Sequence, residues 1–455
     1  MEFSTFIISS VHFNRSEVAM SIGTIVKFEK LKKQTFQLFY AIIGWPRIDI
    51  ENANAVKAIE RFMFFGKLSL IYQHHPNAVH PITPTKWFTY LSVTIDFCTF
   101  ITVIRFICGF FTDNLLILAY LGDVFVGLRH AYALRMLALF CIACLGGFRA
   151  ITCYLVRNGS LDWTKVIDKA MIDGWKPEVL NMKKGYCLKW RQTSVCIARK
   201  IVVPPLVHAS VWITCFTYLT LNCKTFYVVL KSQLILGLFV FWQVTTLISI
   251  IWFVFHVVWI SLLYFITFFY VINKSNSIYS EIQESSKFKL LSYSALNKLC
   301  NKNISFLNEF DNINHLMRYI SYSGYILASL AGQVAMLYSY LGLFGMPLAD
   351  LGLGIIGFNG VFQMGVVSFL AAKSVANIGL SYSRYHRIYQ NNYNIEPRLK
   401  LKLLYNLDRL GSPFVGFWVG ESFSNDNRAF IQYLFETCCN MMLISVTMSN
   451  FTWKN

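Results

Sequence analysis

Residues 233–272 read QLILGLFVFWQVTTLISIIWFVFHVVWISLLYFITFFYVI, about forty positions without one Asp, Glu, Lys or Arg. A helix crosses about 30 Å of hydrocarbon with about twenty apolar residues, so the run is twice what one crossing needs. Two crossings would require a tight turn near the middle, and no Gly, Pro or charged turn stands there. The run therefore predicts one long membrane helix, with QLILGLFVFW as an outer amphipathic or re-entrant part. If it were two spans, every later segment would invert.

Further apolar runs at 87–111, 130–155, 201–221, 318–343, 351–370 and 427–449 bring the expected spans to seven. Only 14 % of the 455 residues are charged, against about 25 % in soluble domains, and the chain reads as an all-α, polytopic membrane protein. Its net charge of +18 lies in the connections, where it encodes orientation. Nucleic-acid binding, which needs a basic face on a soluble domain, is not indicated. Summed over connections, about 31 Lys and Arg fall on the side of the N-terminus and about four on the other. By the positive-inside bias the N-terminus is cytoplasmic and the C-terminus extracellular.

That topology divides the chain into a cytoplasmic region 1–86, helices and long cytoplasmic loops over 87–375, a basic, tyrosine-rich cytoplasmic segment 376–426, a last span 427–449 and an outer tail 450–455. The first region holds the cluster Lys27, Lys30, Lys32 and Lys33 and an amphipathic segment before the first span. It also holds His74-His75, which lack a second ligand pair nearby. The twelve cysteines read as small apolar fillers, supporting neither zinc nor a disulfide framework. Neither a cofactor nor a metal is expected. In the first span, Asp96 and Arg105 are about half a turn out of phase, so each needs a partner elsewhere. Arg135 and Arg149 stand towards the ends of the second span, where their stems can snorkel. Trp163, Trp175 and Trp190 suit packing beneath the membrane or at the interface.

The last span is interrupted by polar residues. At 3.6 residues per turn Glu436, Asn440 and Ile444 share one line, with Thr437, Met441 and Ser445 beside it. Such a stripe fits helix-to-helix contact in a bundle or a face lining water. The stretch before it contains Gly416-Phe417 and a polar segment ending in Asn427-Arg428, and leads to Thr437. This sequence resembles the C-terminal signature of the insect gustatory and odorant receptor superfamily, as does the inverted seven-span layout. The match is that of a divergent, gustatory-like member, because Cys438, Ile444 and Ser445 stand where the family has Tyr, Gln and an aromatic or aliphatic residue.

The resemblance implies a chemosensory receptor of the plasma membrane of sensory cells, a ligand-gated non-selective cation channel. Its last helix would be split into a cytoplasmic and a pore-lining part, and four like or unlike chains would assemble through the cytoplasmic anchor segment. Partners would be a small tastant or odorant, monovalent and divalent cations, and membrane lipid. Carried over by position, the constriction falls near Met441, Ile444 and Ser445. Glu436 either holds cations in a ring of charge or pairs with a neighbouring Lys or Arg. The family's ligand site lies in the outer half of spans two to six, where this chain has Trp212, Tyr218, His256, Trp259, Gln333, Met336, Tyr340, Phe358 and Phe362. Asn450 opens the sequon Asn450-Phe451-Thr452 in the outer tail, a candidate for glycosylation. A transporter of a small organic solute is the other reading, but it would show internal repeats and paired broken helices, and none is evident. An enzyme would need a nucleophile and base at helix spacing or a cluster of His, Asp or Glu in a span, and neither is present.

Overall fold

A computed structural model describes residues 52–68, 86–128, 130–157, 165–172, 174–200, 203–287, 291–392, 395–412, 415–421, 423–424 and 426–452, all within one compact unit, 51–455. The Lys27–Lys33 cluster, the His74-His75 pair and Trp163 lie outside the described residues, as do the side chains of Ile444, Ser445 and Asn450. In chain order the helices are α1 (Asn52–Leu68), α2 (Lys86–Phe110), α3 (Leu115–Tyr120), α4 (Ala131–Arg157), α5 (Lys165–Ile172), α6 (Pro177–Leu180), α7 (Lys184–Arg199), α8 (Val203–Asn222), α9 (Lys224–Val229) and α10 (Gln233–Ser285). There follow α11 (Tyr293–Ser323), a π-helical turn (Gly324–Ala328), α12 (Ser329–Tyr340), α13 (Pro347–Asn391) and α14 (Pro397–Gly411). A two-residue hairpin, β1 (Trp418–Val419) with β2 (Phe423–Ser424), leads to α15 (Asn427–Thr452).

The uninterrupted apolar run forms one helix. α10 extends for 53 residues, well past the apolar stretch, and at about 1.5 Å per residue it is about 80 Å long. Among the described residues five helices are long and apolar enough to cross a membrane: α2, α4, α10, α11 continued through α12, and α13. α8 and α15 occupy the remaining two expected positions, and α8 opens on Pro204-Pro205, where a helix tolerates proline. The expected boundary at 375/376 falls inside α13, which runs to Asn391, and α15 continues through Thr452.

Charged residues inside the helices have protein partners. Arg105 donates to Trp242 O (3.2 Å) and lies over the Phe106 ring, while Asp96 pairs with Arg149. The expectation that Arg135 and Arg149 snorkel is corrected here, because both are buried. Arg149 also donates to Ser92 Oγ (3.0 Å), and Arg135 pairs with buried Asp123. A charge turned inward removes the desolvation penalty only with a partner in reach, and the bend 111–130 brings Asp123 back over α4.

That bend, α3 and α9 close one end of the bundle. Asn114 caps α3 by accepting from Leu116 N (2.9 Å), Lys224 N donates to Val126 O (3.1 Å), and Gln243 Nε2 donates to Gly122 O (2.7 Å). Phe125 rests between Phe106 and Phe344, with centroids 6.2 and 6.3 Å away. At the other end the buried Trp175, Trp190 and Tyr270 rings pack tilted against one another, with centroids 4.3 and 4.7 Å apart, and the Trp190 indole donates to Ile266 O (3.1 Å). Trp190 thus packs against α10, with Trp175 on its other side. Buried Lys274 meets Tyr270 Oη (2.8 Å) and the Glu309 carboxylate, joining α10 to α11.

α14 buries Leu399, Leu403, Leu407 and Leu410, a helical spacing that gives it one apolar face. Asn303 donates to Asn406 in its buried interface with α11 (2.6 Å), and Arg409 meets Asp311 (2.5 Å) at the rim. Phe417 then inserts between Phe268 and Phe310, at 4.7 and 4.9 Å. The hairpin turns at Gly420, whose φ of +61° suits glycine, and Gly420 N donates to Arg318 O (2.9 Å). α15 therefore begins from a fixed point on α11.

Candidate ligand cavity and its tie to the last helix

Between α4, α8, α10, α12 and α13, beneath the closed end of the bundle, lies a cavity of about 180 Å³. Its walls are largely aliphatic and aromatic, with Leu137, Phe216, Ile250, Phe253 and Leu353 among them, and no Asp, Glu, Lys or Arg among the described residues lines it. Apart from the Thr246 hydroxyl on α10, the polar side chains of the lining lie on α8 and α13. His208 contacts the Asn359 amide, Gln363 Nε2 and Asn359 Oδ1 are 3.2 Å apart, and Gln363 Oε1 is 2.9 Å from Ser261 Oγ. The spacing of Asn359 and Gln363, four apart, puts both on one face of α13.

Of the nine expected ligand-site residues, Trp212 lines this cavity. His256 is buried beside it, its ring edge-on to Phe148 at 5.6 Å, and neither ring nitrogen has a hydrogen-bond partner among the described residues. Trp259 is buried against α1, its indole donating to Phe62 O (3.1 Å). Met336 packs over Gly357, Gln333 turns towards α15, and Tyr218, Tyr340, Phe358 and Phe362 are exposed on the outer surface. His208, Asn359 and Gln363 were passed over in the sequence reading. Their signal was available: polar side chains inside apolar spans are costly there and mark candidate sites. A Cys141-x-x-Cys144 spacing was passed over as well. Cys141 lines the cavity and Cys144 is buried, and no group that could hold a metal occurs among the described residues.

α12 carries the cavity on one face and α15 on another. Ala331, Gly332 and Ala335 line the cavity. Ser329 Oγ and Tyr433 Oη are 3.0 Å apart, Gln333 Nε2 donates to Thr437 Oγ1 (3.2 Å), and Asn440 Nδ2 donates to Gln333 Oε1 (3.4 Å). Tyr433 also donates to Val361 O on α13 (3.2 Å). Thr437 and Asn440, from the mixed stripe, are thus in helix-to-helix contact. Glu436 is exposed and accepts from Gln432 of its own helix (2.6 Å), and Met441 is half-buried. Gln333→Leu is expected to lower the unfolding midpoint of the detergent-solubilised protein, because each buried group it orphans costs about 1–3 kcal/mol. An unchanged midpoint in a melting curve would show that the ladder does not hold α15.

No family model matches the sequence, and no curated protein matches it. Solved structures do. The insect olfactory receptor OR5 from Machilis hrabei superposes with a TM-score of 0.58 at 10 % identity, over 87 % of this chain and 99 % of that one. The chain has the fold of an insect olfactory receptor. The same receptor in complex with eugenol superposes with a TM-score of 0.55 at 9 % identity, over the same shares of the two chains. The shared fold spans nearly all of that chain and most of this one.

Proposed function

We propose that the protein is a chemosensory receptor of the insect odorant and gustatory superfamily, of gustatory type, acting as a ligand-gated non-selective cation channel. Its seven spans are α2, α4, α8, α10, α11 with α12, α13 and α15, with the N-terminus cytoplasmic and the C-terminus extracellular. Four chains assemble through α14 and the hairpin, in the plasma membrane of a sensory cell. A small tastant or odorant occupies the cavity, and cations pass between the α15 helices. Asn450, at the outer end of α15, carries the sequon.

The observation that carries this reading is that the cavity wall and the last helix share α12. Its Gly332 and Ala335 face the cavity while Ser329 and Gln333 hold Tyr433 and Thr437. A change in cavity shape therefore bears directly on α15. The eugenol-bound neighbour of the same fold supports a small organic ligand. On the far side of α15, Ile431, Leu434, Phe435, Cys438, Met442 and Val446 recur at helical spacing and are left uncovered by the chain's own helices. That face suits contact with neighbouring chains and lipid; by the family resemblance the constriction falls at Met441, Ile444 and Ser445, with Glu436 on the inner side of it.

An apolar constriction closes by dewetting. In whole-cell recordings of the chain expressed alone with G-protein signalling blocked, Ile444→Ala is expected to raise the ligand-free cation current several-fold. Basal conductance equal to wild type at matched surface expression would overturn this gate. A C-terminal tag accessible only from inside the cell would overturn the topology.

A further inference from the structure

Most of the cavity's hydrogen-bonding capacity lies on one wall, and there it can be counted. Ser261, Gln363, Asn359 and His208 form a chain in which each primary amide gives one N–H and one carbonyl to its neighbours. Ser261 Oγ also lies 2.9 Å from Val257 O, so its single hydroxyl proton goes to one side or the other. The two settings reverse the direction of both amides. In either setting each amide keeps a second N–H without an acceptor among the described residues, and both side chains line the cavity.

The rest of the wall restricts what else can bind. Beyond that chain, the polar groups of the lining are the Trp212 indole and the Thr246 hydroxyl, which donates to Trp242 O (2.8 Å); Leu137, Ile250, Phe253 and Leu353 offer no hydrogen-bond partner, and no charged side chain among the described residues lines the space. A ligand with several hydroxyls would leave most of them buried unpaired, and an ammonium or carboxylate would have no counter-ion. The volume of about 180 Å³ compares with the cavity of about 150 Å³ that takes benzene in an engineered protein. One ring and a short substituent fill such a space.

We infer that this cavity selects uncharged, single-ring-sized molecules carrying one hydrogen-bond-accepting oxygen, which docks on the spare amide N–H groups of Asn359 and Gln363. The inference rests on the reading of the cavity as the ligand site and specifies its chemistry. Sugars, amines and carboxylic acids are excluded, and a hydrocarbon of the same shape binds poorly because it leaves buried N–H groups unmatched. Asn359 and Gln363 are then the specificity-determining residues. Ser261 and His208 act through them by fixing the amide planes.

The test compares ring-sized probes: acetophenone and anisole with one acceptor, ethylbenzene with none, benzoate and 1-phenylethylamine with a charge, and glucose. Currents are recorded from cells expressing the full chain, and thermal shifts are measured on the purified full-length protein in detergent. Acetophenone or anisole is expected to act at concentrations about 100-fold below ethylbenzene, since sites built to bond an oxygen strongly reject analogues lacking it. The charged probes and glucose are expected to be silent. Asn359→Leu, and the near-isosteric Gln363→Met as the variant that better preserves packing, should each weaken the ketone and ether about tenfold or more and narrow their margin over ethylbenzene.

Equal potency of ketone and hydrocarbon would overturn the inference. So would activation by glucose or the amine, or unchanged selectivity in both variants. Thermal stabilisation by the oxygenated probes that both variants abolish, without any current, would uphold the selectivity and remove the channel reading. Neither current nor stabilisation with any of the oxygenated probes would overturn the selectivity itself.

Discussion

Arg135→Leu is expected to remove most of the protein from the cell surface and to cause the largest loss of thermal stability of any single substitution in the closed end of the bundle. Arg135 Nε donates to Asp123 Oδ2 (2.5 Å), its Nη1 donates to Gly109 O (3.2 Å), and both partners of the pair are buried. The other Asp123 oxygen accepts from Phe125 N (2.8 Å), and its backbone carbonyl accepts from Thr225 Oγ1 (2.7 Å). The Arg135–Asp123 pair thus connects α2, α4, α9 and the bend carrying Phe125 over the cavity. Removing only the arginine leaves a buried carboxylate unpaired, at a cost of about 3–5 kcal/mol. Replacing both partners with apolar residues removes the stranded charge as well. Asp123→Leu with Arg135→Leu should therefore be more stable than Arg135→Leu alone. Fluorescence size-exclusion and melting curves on the two variants check this, and a double variant no better than the single would refute it.

Gly357→Val is expected to be nearly as damaging, by a steric route. Gly357 is at the crossing of α12 and α13, where a Cβ added to it would lie 2.6 Å from Gly332 O and 2.6 Å from Met336 N. Both obstacles are backbone atoms, so the helices must part. Overpacking a tight contact costs about 1–3 kcal/mol, and here the displaced wall also bounds the cavity and carries Gln333. Loss of ligand response should therefore accompany loss of stability. Gly379 lies in the same helix with nothing within 4 Å of an added Cβ, so Gly379→Ala is expected to be neutral or slightly stabilising. Matched melting curves and dose–response curves for the two substitutions separate steric closure from helix propensity. Similar effects from both would show that close approach at Gly357 is not the cause.

Residues 233–272, with no turn-forming residue at their centre, left one helix as the consistent outcome, and they form part of one 53-residue helix. Membrane character, helix positions and the need of Asp96 and Arg105 for partners elsewhere were all legible, because the hydrocarbon length and the price of a buried charge act on each segment by itself. The spacing of Glu436, Thr437 and Asn440 defined a face of the last helix and left open what that face meets. Gln333, more than one hundred positions earlier, supplies the contact to Thr437 and Asn440. The direction of Arg135 was likewise undecidable from its own helix, since snorkelling and pairing differ only in whether an acid is brought within reach.

The cavity was the least legible element. Aromatic residues occur throughout the chain, and of the nine named for a ligand only Trp212 lines the space, while the polar wall is formed by His208, Asn359 and Gln363. The sequence by itself determined that this is a bundle of apolar helices, which stretches form their membrane-crossing parts, and which residues share a face. Only the tertiary structure decided which faces meet, because the rotation of each helix about its axis is set by contacts such as Gly332 against Gly357, between segments that no local periodicity relates.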